Sequence, residues 1–141
     1  MRIGEGVNIY APRDVLIDET RPWLVEIGNH VQIPYGVVIL THGYDWSVLK
    51  GVYGDVLGSA GKVTIGNNVF IGARSVILKG VTIGDNVIID ANSLITKDIP
   101  SNSVVAGNPA TVRMTIEEYY EKRKSVQLEE AKELVQVFNK L

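Results

Sequence analysis

The stretch from residue 63 to residue 100 reads VTIGNNVFIGARSVILKGVTIGDNVIIDANSLITKDIP. Isoleucine recurs in it at a fixed step of six residues, at Ile65, Ile71, Ile77, Ile83, Ile89 and Ile95. A small or β-branched residue follows each isoleucine by four places, at Val69, Ser75, Val81, Val87, Ser93 and Ile99. A repeat of fixed period indicates the architecture of a chain more strongly than any other local signal.

A step of six residues is typical of very short strands separated by turns. Val69 and Ile71 are two residues apart, so on a strand their side chains point to the same side. The tripeptides GNN, GDN and LKG between the strands are rich in residues that tolerate turn conformations. An amphipathic helix would need a spacing near 3.6 residues, which six does not fit. Because so short a strand cannot bury its own face, the pattern predicts strands stacked on one another in a parallel β-helix with isoleucines along its axis.

These residues resemble the hexapeptide-repeat acyltransferases, and most closely the maltose, galactoside and polysaccharide O-acetyltransferases within that family. The resemblance covers most of residues 1–114, including the string Val-Ala-Gly-Asn-Pro-Ala at 105–110 that closes the last coil in the family. It implies an all-β fold, a left-handed parallel β-helix with three hexads in each triangular coil. It also implies a homotrimer with active sites between neighbouring prisms.

The composition narrows the function classes. The chain has 141 residues and a net charge of -2 with acidic and basic residues mixed, so it carries no charge footprint for nucleic acid. It contains no cysteine, which excludes a disulfide, a thiolate metal site and a cysteine nucleophile. The first residues lack the apolar core of a signal peptide, and no apolar run reaches the length of a membrane span. We therefore expect one cytoplasmic domain.

Residues 1–42 carry a weaker form of the repeat, with one six-step phase at Ile3, Ile9, Val15, Ile27, Ile33 and Ile39. Arg21 breaks this phase, and we expect a turn or small protrusion there with Ile17, Trp23 and Val25 packed around it. The distance from Ile39 to Ile65 is two residues more than four hexads, so a segment must leave the coil. We predict a protruding functional loop over residues 43–62, with an ordinary surface excursion as the alternative.

The period changes at residues 115–141, which we predict to be a C-terminal helical extension. Thr115 and Glu118 form a capping box, and Ser125 is a candidate cap for a second helix after a break. Apolar residues follow at helical spacing, at Leu128, Ala131, Leu134, Val135, Phe138 and Leu141. We expect this stripe to pack on the β-helix or on a neighbouring subunit, and a membrane-surface helix is the alternative.

His42 is the candidate catalytic residue. It stands three residues after Ile39, at a turn position, so its side chain should leave the prism. The Thr-His pair before an insertion resembles the catalytic histidine of the family, and imidazole, with a reference pKa of about 6.5, suits a general base for a hydroxyl. A surface or interface histidine is the alternative. The acid that orients His42 stays open among Asp14, Asp18, Glu19 and Asp45, and the Gly72-Ala73 backbone is a candidate oxyanion donor.

The resemblance also implies a site for acetyl-coenzyme A as co-substrate. Ala73 matches the residue beside the thioester, and Ala91 matches the small residue that lines the pantetheine groove. The box Gly-Ala-Gly-Ser of the family is read here as Asp90-Ala91-Asn92-Ser93, so two glycines are replaced. Thr96 and Lys97 match the pair that meets the nucleotide end, and Arg113 is a further candidate phosphate partner.

Three functions follow from these residues. The first is an acetyl-coenzyme A-dependent O-acetyltransferase that acts on a sugar or polysaccharide hydroxyl, with an amino sugar or serine as other acceptors. The second is a zinc enzyme on the same fold, but zinc needs three histidines there and the chain has two, His30 and His42, at a spacing that does not stack them. We therefore expect no metal. The third is a non-catalytic scaffold, which the imperfect alanine box and the absence of an N-terminal helical segment before the repeat would favour.

Overall fold

The computed structural model describes residues 1–140, and the side chain of Phe138 lies outside the description. Fourteen strands in this part of the chain form three sheets that are parallel except for one C-terminal pair. The first sheet contains β1 (Arg2–Ile3), β4 (Val25–Ile27), β7 (Val63–Ile65) and β10 (Thr82–Ile83). The second contains β2 (Asn8–Ile9), β5 (Val31–Ile33), β8 (Val69–Ile71), β11 (Val87–Ile89), β13 (Ser103–Gly107) and β14 (Ala110–Thr115). The third contains β3 (Leu16–Ile17), β6 (Val38–Ile39), β9 (Val76–Ile77) and β12 (Leu94–Ile95).

Successive strands fall on successive sheets, so the chain winds as a parallel β-helix, and the predicted fold, the left-handed form, is confirmed. Val69 pairs with Val87 and Ile77 with Ile95, which is one coil of three hexads. The isoleucines at the six-step positions from Ile65 to Ile95 are at most 1 % exposed. The residues four places later are buried as well, including the hydroxyls of Ser75 and Ser93. The interior is therefore the aliphatic axis that the repeat predicts.

The turns between the first and second sheets are held by a column of amides. Asn68, Asn86 and Asn102 all have a positive φ, which asparagine tolerates better than most residues. The amide of Asn68 donates to Asn86 at 3.0 Å, and that of Asn86 donates to Asn102 at 2.9 Å. The same turn position thus repeats its chemistry from coil to coil.

The first coil departs from the predicted phase. Ile17 aligns with Ile39, so Val15 does not occupy the isoleucine position and that part of the phase is wrong. A 3₁₀ turn at Pro12–Asp14 takes up two extra residues before this strand. A second 3₁₀ turn at Pro22–Leu24 forms the protrusion expected next to Arg21. Val25 is buried there, but Trp23 is 69 % exposed and does not pack on the coil as expected.

The segment after Ile39 leaves the coil and returns to the same point. The N–H of Gly61 donates to the carbonyl of Thr41 at 2.8 Å, and the N–H of Gly43 donates to that of Ser59 at 3.1 Å. Between these closing bonds the chain forms α1 (Asp45–Tyr53), which ends at Gly54 with φ at +79°. The helix carries no buried residue, so the excursion projects from the prism.

The C-terminal strands form an antiparallel hairpin through a cis peptide bond between Asn108 and Pro109. Helix α2 (Ile116–Asn139) follows, and the hydroxyl of Thr115 accepts the N–H of Glu118 at 3.1 Å, as the predicted cap requires. The helix is continuous through Ser125, so the expected break is wrong. It is exposed from Glu121 to Val137, and its apolar stripe does not pack on the β-helix of its own chain. Leu141 of that stripe lies outside the described residues.

Within residues 1–140, neither helix combines the length and apolar character that a bilayer crossing requires.

Candidate active site

His42 lies at the corner where the third sheet turns toward the first, which we call the histidine corner. β6 ends at Ile39, and the chain leaves the coil for its excursion immediately after His42. The imidazole stands outside the aliphatic axis, as predicted, and its side chain is 16 % exposed. The ring of Tyr44 meets it edge-on, with the ring centres 5.4 Å apart. The histidine is therefore fixed by the base of the excursion and still reaches the surface.

Asp18 is the acid beside His42. β3 ends at Ile17, one coil from β6, so Asp18 enters the same corner as His42. Nδ1 of His42 lies 2.6 Å from Oδ2 of Asp18, while the N–H direction is poorly aligned for a hydrogen bond. Catalytic hydrogen bonds are often poorly aligned before substrate binds. Among the four acids left open by the sequence, the structure brings Asp18 to the imidazole.

The Asp18 carboxylate is clamped by two threonines. Oδ1 accepts the hydroxyl of Thr20 at 2.7 Å and its N–H at 3.1 Å. Oδ2 accepts the hydroxyl of Thr41 at 2.8 Å and its N–H at 3.4 Å. Burial alone would raise the pKa of Asp18, but these hydrogen bonds outweigh burial and hold the pKa well below its usual range. A carboxylate that stays ionised is thus held against the side of the imidazole.

The sequence left Asp18 as one of four candidate acids and did not identify Thr20 and Thr41 as its partners, and the reason is the phase of the first coil. With Val15 in the isoleucine position, Asp18 would fall at a different place in its turn. With Ile17 there, Asp18 follows the strand as Leu40 follows Ile39. The doublet Val15 and Ile17, which repeats the spacing of Val37 and Ile39, was the signal that could have found it.

Two clefts meet at His42. The larger, about 520 Å³, lies over the third sheet and is lined by aliphatic side chains together with Asp18, Glu19, Thr20 and Tyr44. The smaller, about 300 Å³, lies between the corner and the excursion and is lined by Arg21, His42, Gly43, Tyr44, Trp46, Val56, Gly58 and Ser59. The imidazole is shared by both, so a group in either cleft can reach it.

Two of the predicted coenzyme A residues share the histidine corner. Leu40, Leu78 and Thr96 follow strands that are in register, so Thr96 and Lys97 lie two coils from His42 along the same edge. At about 4.8 Å per coil the separation is about 10 Å. Both side chains are exposed.

Ala73 and Ala91 lie at the other end of the third sheet, where the second sheet turns toward it, and we call this the alanine corner. The N–H of Asn92 donates to the carbonyl of Ala73 at 2.8 Å, so the two alanines stack on successive coils. One side of the triangle, five residues or roughly 16 Å, separates them from the histidine corner. A single chain therefore does not bring the alanines to His42.

Two further predicted donor groups are already engaged. Arg113 lies on β14, and its guanidinium donates to the carbonyl of Ala106 at 3.2 Å. The N–H of Gly72 donates to the carbonyl of Ile89 at 2.7 Å, so Gly72 cannot serve as the oxyanion donor. The N–H of Ala73 is then the one member of that pair left as a candidate.

His30 lies at the corner between the first and second sheets, away from His42. It is exposed, with φ at +56°, at the turn position that Asn68 occupies in the next coil. Within residues 1–140, no three histidine, aspartate or glutamate side chains cluster as a metal site would require.

Comparison with known proteins agrees with the fold and the repeat. The family model described as "Hexapeptide repeat of succinyl-transferase" matches residues 62–97. Protein CapG of Staphylococcus aureus is 48 % identical over 100 residues, which are 71 % of this chain and 58 % of the relative. The chain spans less than two thirds of the length of the curated relatives that it matches.

Solved acetyltransferase structures share the architecture. A serine acetyltransferase of Neisseria gonorrhoeae superposes with a TM-score of 0.64 at 28 % identity, over 81 % of this chain and 38 % of that one. A maltose O-acetyltransferase of Clostridium difficile 630 superposes with a TM-score of 0.58 at 30 % identity, over 82 % and 66 % of the two chains. These two proteins are acetyltransferases for different acceptors, serine and maltose, so the likeness leaves the acceptor open.

Proposed function

We propose that this chain, which belongs to the hexapeptide-repeat acyltransferase family, moves an acetyl group from acetyl-coenzyme A to a hydroxyl of a sugar or polysaccharide precursor. The observation that carries the proposal is the contact of 2.6 Å between His42 and the buried Asp18 beside two clefts. Relatives described as acetyltransferases support the reaction class. The maltose O-acetyltransferase among the structural neighbours supports a sugar hydroxyl.

His42 is the general base in this proposal. With Nδ1 turned to Asp18, Nε2 is the nitrogen left to accept the proton of the acceptor hydroxyl. Coenzyme A would supply the acetyl group as a thioester. As the hydroxyl oxygen forms the new ester bond and the carbon–sulfur bond breaks, the imidazolium returns the proton to the departing sulfur. No net charge is left on the protein at the end of the cycle.

Asp18 has a positioning role. Its carboxylate selects the tautomer with the proton on Nδ1 and stabilises the imidazolium that forms when Nε2 takes the acceptor proton. The hydrogen bonds from Thr20 and Thr41 outweigh burial and lower the pKa of Asp18, which favours the ionised carboxylate. Asp18 therefore acts through His42 and need not touch the acceptor.

The proposed coenzyme A residues fit a long, thin, anionic molecule. Ala73 is half-buried and Ala91 exposed, and these small side chains stack along the alanine corner where a pantetheine arm could lie. Thr96 and Lys97 are exposed, and within residues 1–140 no carboxylate pairs with Lys97. An unpaired ammonium suits a phosphate, and Arg113 is the second candidate cation.

A homotrimer would complete this site. The outer face of the third sheet is aliphatic, with Leu16, Val38, Val76 and Leu94 in register, and Leu16 is 53 % exposed. The outer face of the first sheet is polar by contrast. Three prisms that turn their third sheets toward a common three-fold axis bury the aliphatic face. This packing sets the histidine corner of one protomer beside the alanine corner of the next, which a single chain cannot do.

The test is acetyl transfer by a His42→Ala variant, followed with acetyl-coenzyme A and a panel of sugar acceptors. Loss of the base should lower kcat by about 10²- to 10⁴-fold while circular dichroism and size are unchanged. His30→Asn, at another corner and tolerant of its positive φ, is the matched control and should retain turnover. Full turnover by His42→Ala would exclude the proposed base, and no thermal shift with saturating coenzyme A would favour a scaffold without catalysis.

A further inference from the structure

We propose that the smaller cleft beside His42 recognises a carboxylate on the acceptor through Arg21, so that the acceptor is an acidic hydroxyl compound. The inference rests on the proposed acetyl transfer and names the class of molecule that receives the acetyl group. Two sources share this chemistry, a sugar acid and a hydroxy amino acid. Both present a carboxylate a few bonds away from the hydroxyl that is acetylated.

Arg21 is the one arginine or lysine among the described residues that line the two clefts beside His42. It enters the cleft from the 3₁₀ turn that follows Asp18, three residues further along the chain. Among the described residues that line either cleft, it is the one permanent positive charge, since the others are neutral, acidic or His42 itself. A guanidinium binds a carboxylate with two parallel hydrogen bonds, a geometry that a neutral acceptor cannot use.

The guanidinium of Arg21 forms no ion pair with another described residue. Its side chain is exposed. The nearest buried acid, Asp18, is already held by Thr20, Thr41 and His42. An unpaired arginine beside a proposed general base is therefore available to a ligand.

Ser59 gives a second, independent indication of a polar ligand. It lines the same cleft, and its hydroxyl is buried with no hydrogen-bond partner among the described residues. Unpaired buried hydroxyls are uncommon because they lose the hydrogen bonds that water would provide. Because Ser59 lines the cleft, an oxygen or nitrogen of the acceptor is the partner that we propose for this hydroxyl.

The remaining walls suit a ring or a short chain. Trp46 is half-buried on one side and Tyr44 stands at the mouth, 71 % exposed. Aromatic side chains offer an apolar surface with a polar edge, against which the C–H face of a sugar can pack. A cavity of about 300 Å³ holds a monosaccharide or an amino acid beside the imidazole.

The experiment compares matched acceptors that differ in the carboxylate. With acetyl-coenzyme A as donor, kcat/KM is measured for methyl glucuronide against methyl glucoside, and for L-serine against L-serinamide. The wild type should prefer the anionic member of one pair by about 10- to 100-fold. Arg21→Gln should reduce that ratio to near one, whereas Arg13→Gln, an exposed arginine that lines neither cleft, should leave the ratio as in the wild type.

The outcomes separate the two proposals. Equal kcat/KM within both pairs, or a preference that survives Arg21→Gln, would overturn the inference while acetyl transfer itself stands. If no acceptor is acetylated, the proposed function fails. Calorimetric titration with methyl glucuronide and with L-serine then still tests whether the smaller cleft binds a carboxylate through Arg21. Binding of either that is lost in Arg21→Gln supports carboxylate recognition, and no binding of either overturns it.

Discussion

Replacing Thr41 by valine tests the clamp on Asp18. Thr41 is fully buried, and valine keeps its shape while removing the hydroxyl that donates to Oδ2 of Asp18 at 2.8 Å. A hydrogen bond to a charged group contributes about 1.5–3 kcal/mol. Because the Thr41 N–H and both groups of Thr20 still serve the carboxylate, we expect a loss of about 2 kcal/mol in the free energy of unfolding at pH 7.

The pH dependence of this loss identifies its source. The pKa of Asp18 is lowered in the folded protein, so the ionised carboxylate stabilises the fold above its unfolded pKa of about 3.9. This stabilisation is lost as the pH falls through the folded pKa. The valine variant raises the folded pKa toward the ordinary value. Because both proteins share one unfolded state, the difference between them should be full at pH 7 and pH 5 and shrink only as the pH falls through the raised folded pKa of the variant, below about pH 4.

The assay is chemical denaturation followed by circular dichroism between pH 7 and pH 3, at one fixed protein concentration because assembly affects apparent stability. Thr82→Val makes the same atomic change on an exposed strand and should alter the unfolding free energy by less than about 0.5 kcal/mol. A Thr41→Val penalty that is absent at pH 7, or that already shrinks between pH 7 and pH 5, would refute the clamp.

Two more substitutions test the coil and the donor site. Gly72→Ala should destabilise the fold by at least ~2 kcal/mol, because a Cβ there falls on the backbone of Ala91 in the next coil. Gly51→Ala is the control: its Cβ meets nothing within 4 Å, so the substitution should be neutral or stabilising. Denaturation midpoints measure both effects. Lys97→Ala should raise the KM for acetyl-coenzyme A by about 3- to 10-fold through loss of a phosphate contact. The KM is measured by steady-state kinetics with Lys122→Ala as the control. A KM for Lys97→Ala equal to that of the wild type would contradict the phosphate contact.

The fold followed from the sequence wherever the six-residue step was unbroken. Each isoleucine at a six-step position from Ile65 to Ile95 points into the core. Because strands one coil apart pair in register, the repeat alone predicts which strands are neighbours in each sheet. The prediction failed where residues are inserted. The turn at Pro12–Asp14 contains two extra residues, so the strand after it begins two residues later than the repeat predicts. A shift of two residues keeps the same side chains pointing inward, but it changes which residue follows the strand. The sequence therefore did not place Asp18 at the corner beside His42.

The excursion and the C-terminal segment were harder for different reasons. The sequence located the departure of residues 43–62, but the nine-residue helix in it lies among glycines and has no buried face to give a pattern. Ser125 is a common cap residue, yet the helix passes through it because the flanking residues are good helix formers. His42 could be placed at a corner from its distance to Ile39, whereas its partners depend on which coils stack.

The measurement that bears most directly on the proposed mechanism uses two inactive variants in one assembly. His42→Ala lacks the base, and Ala91→Trp blocks the alanine corner with a large side chain. If each site joins His42 of one protomer to Ala91 of the next, unfolding and refolding an equimolar mixture should restore about one quarter of wild-type turnover, since that fraction of sites receives both intact corners. A mixture as inactive as its two components would contradict a site shared between protomers.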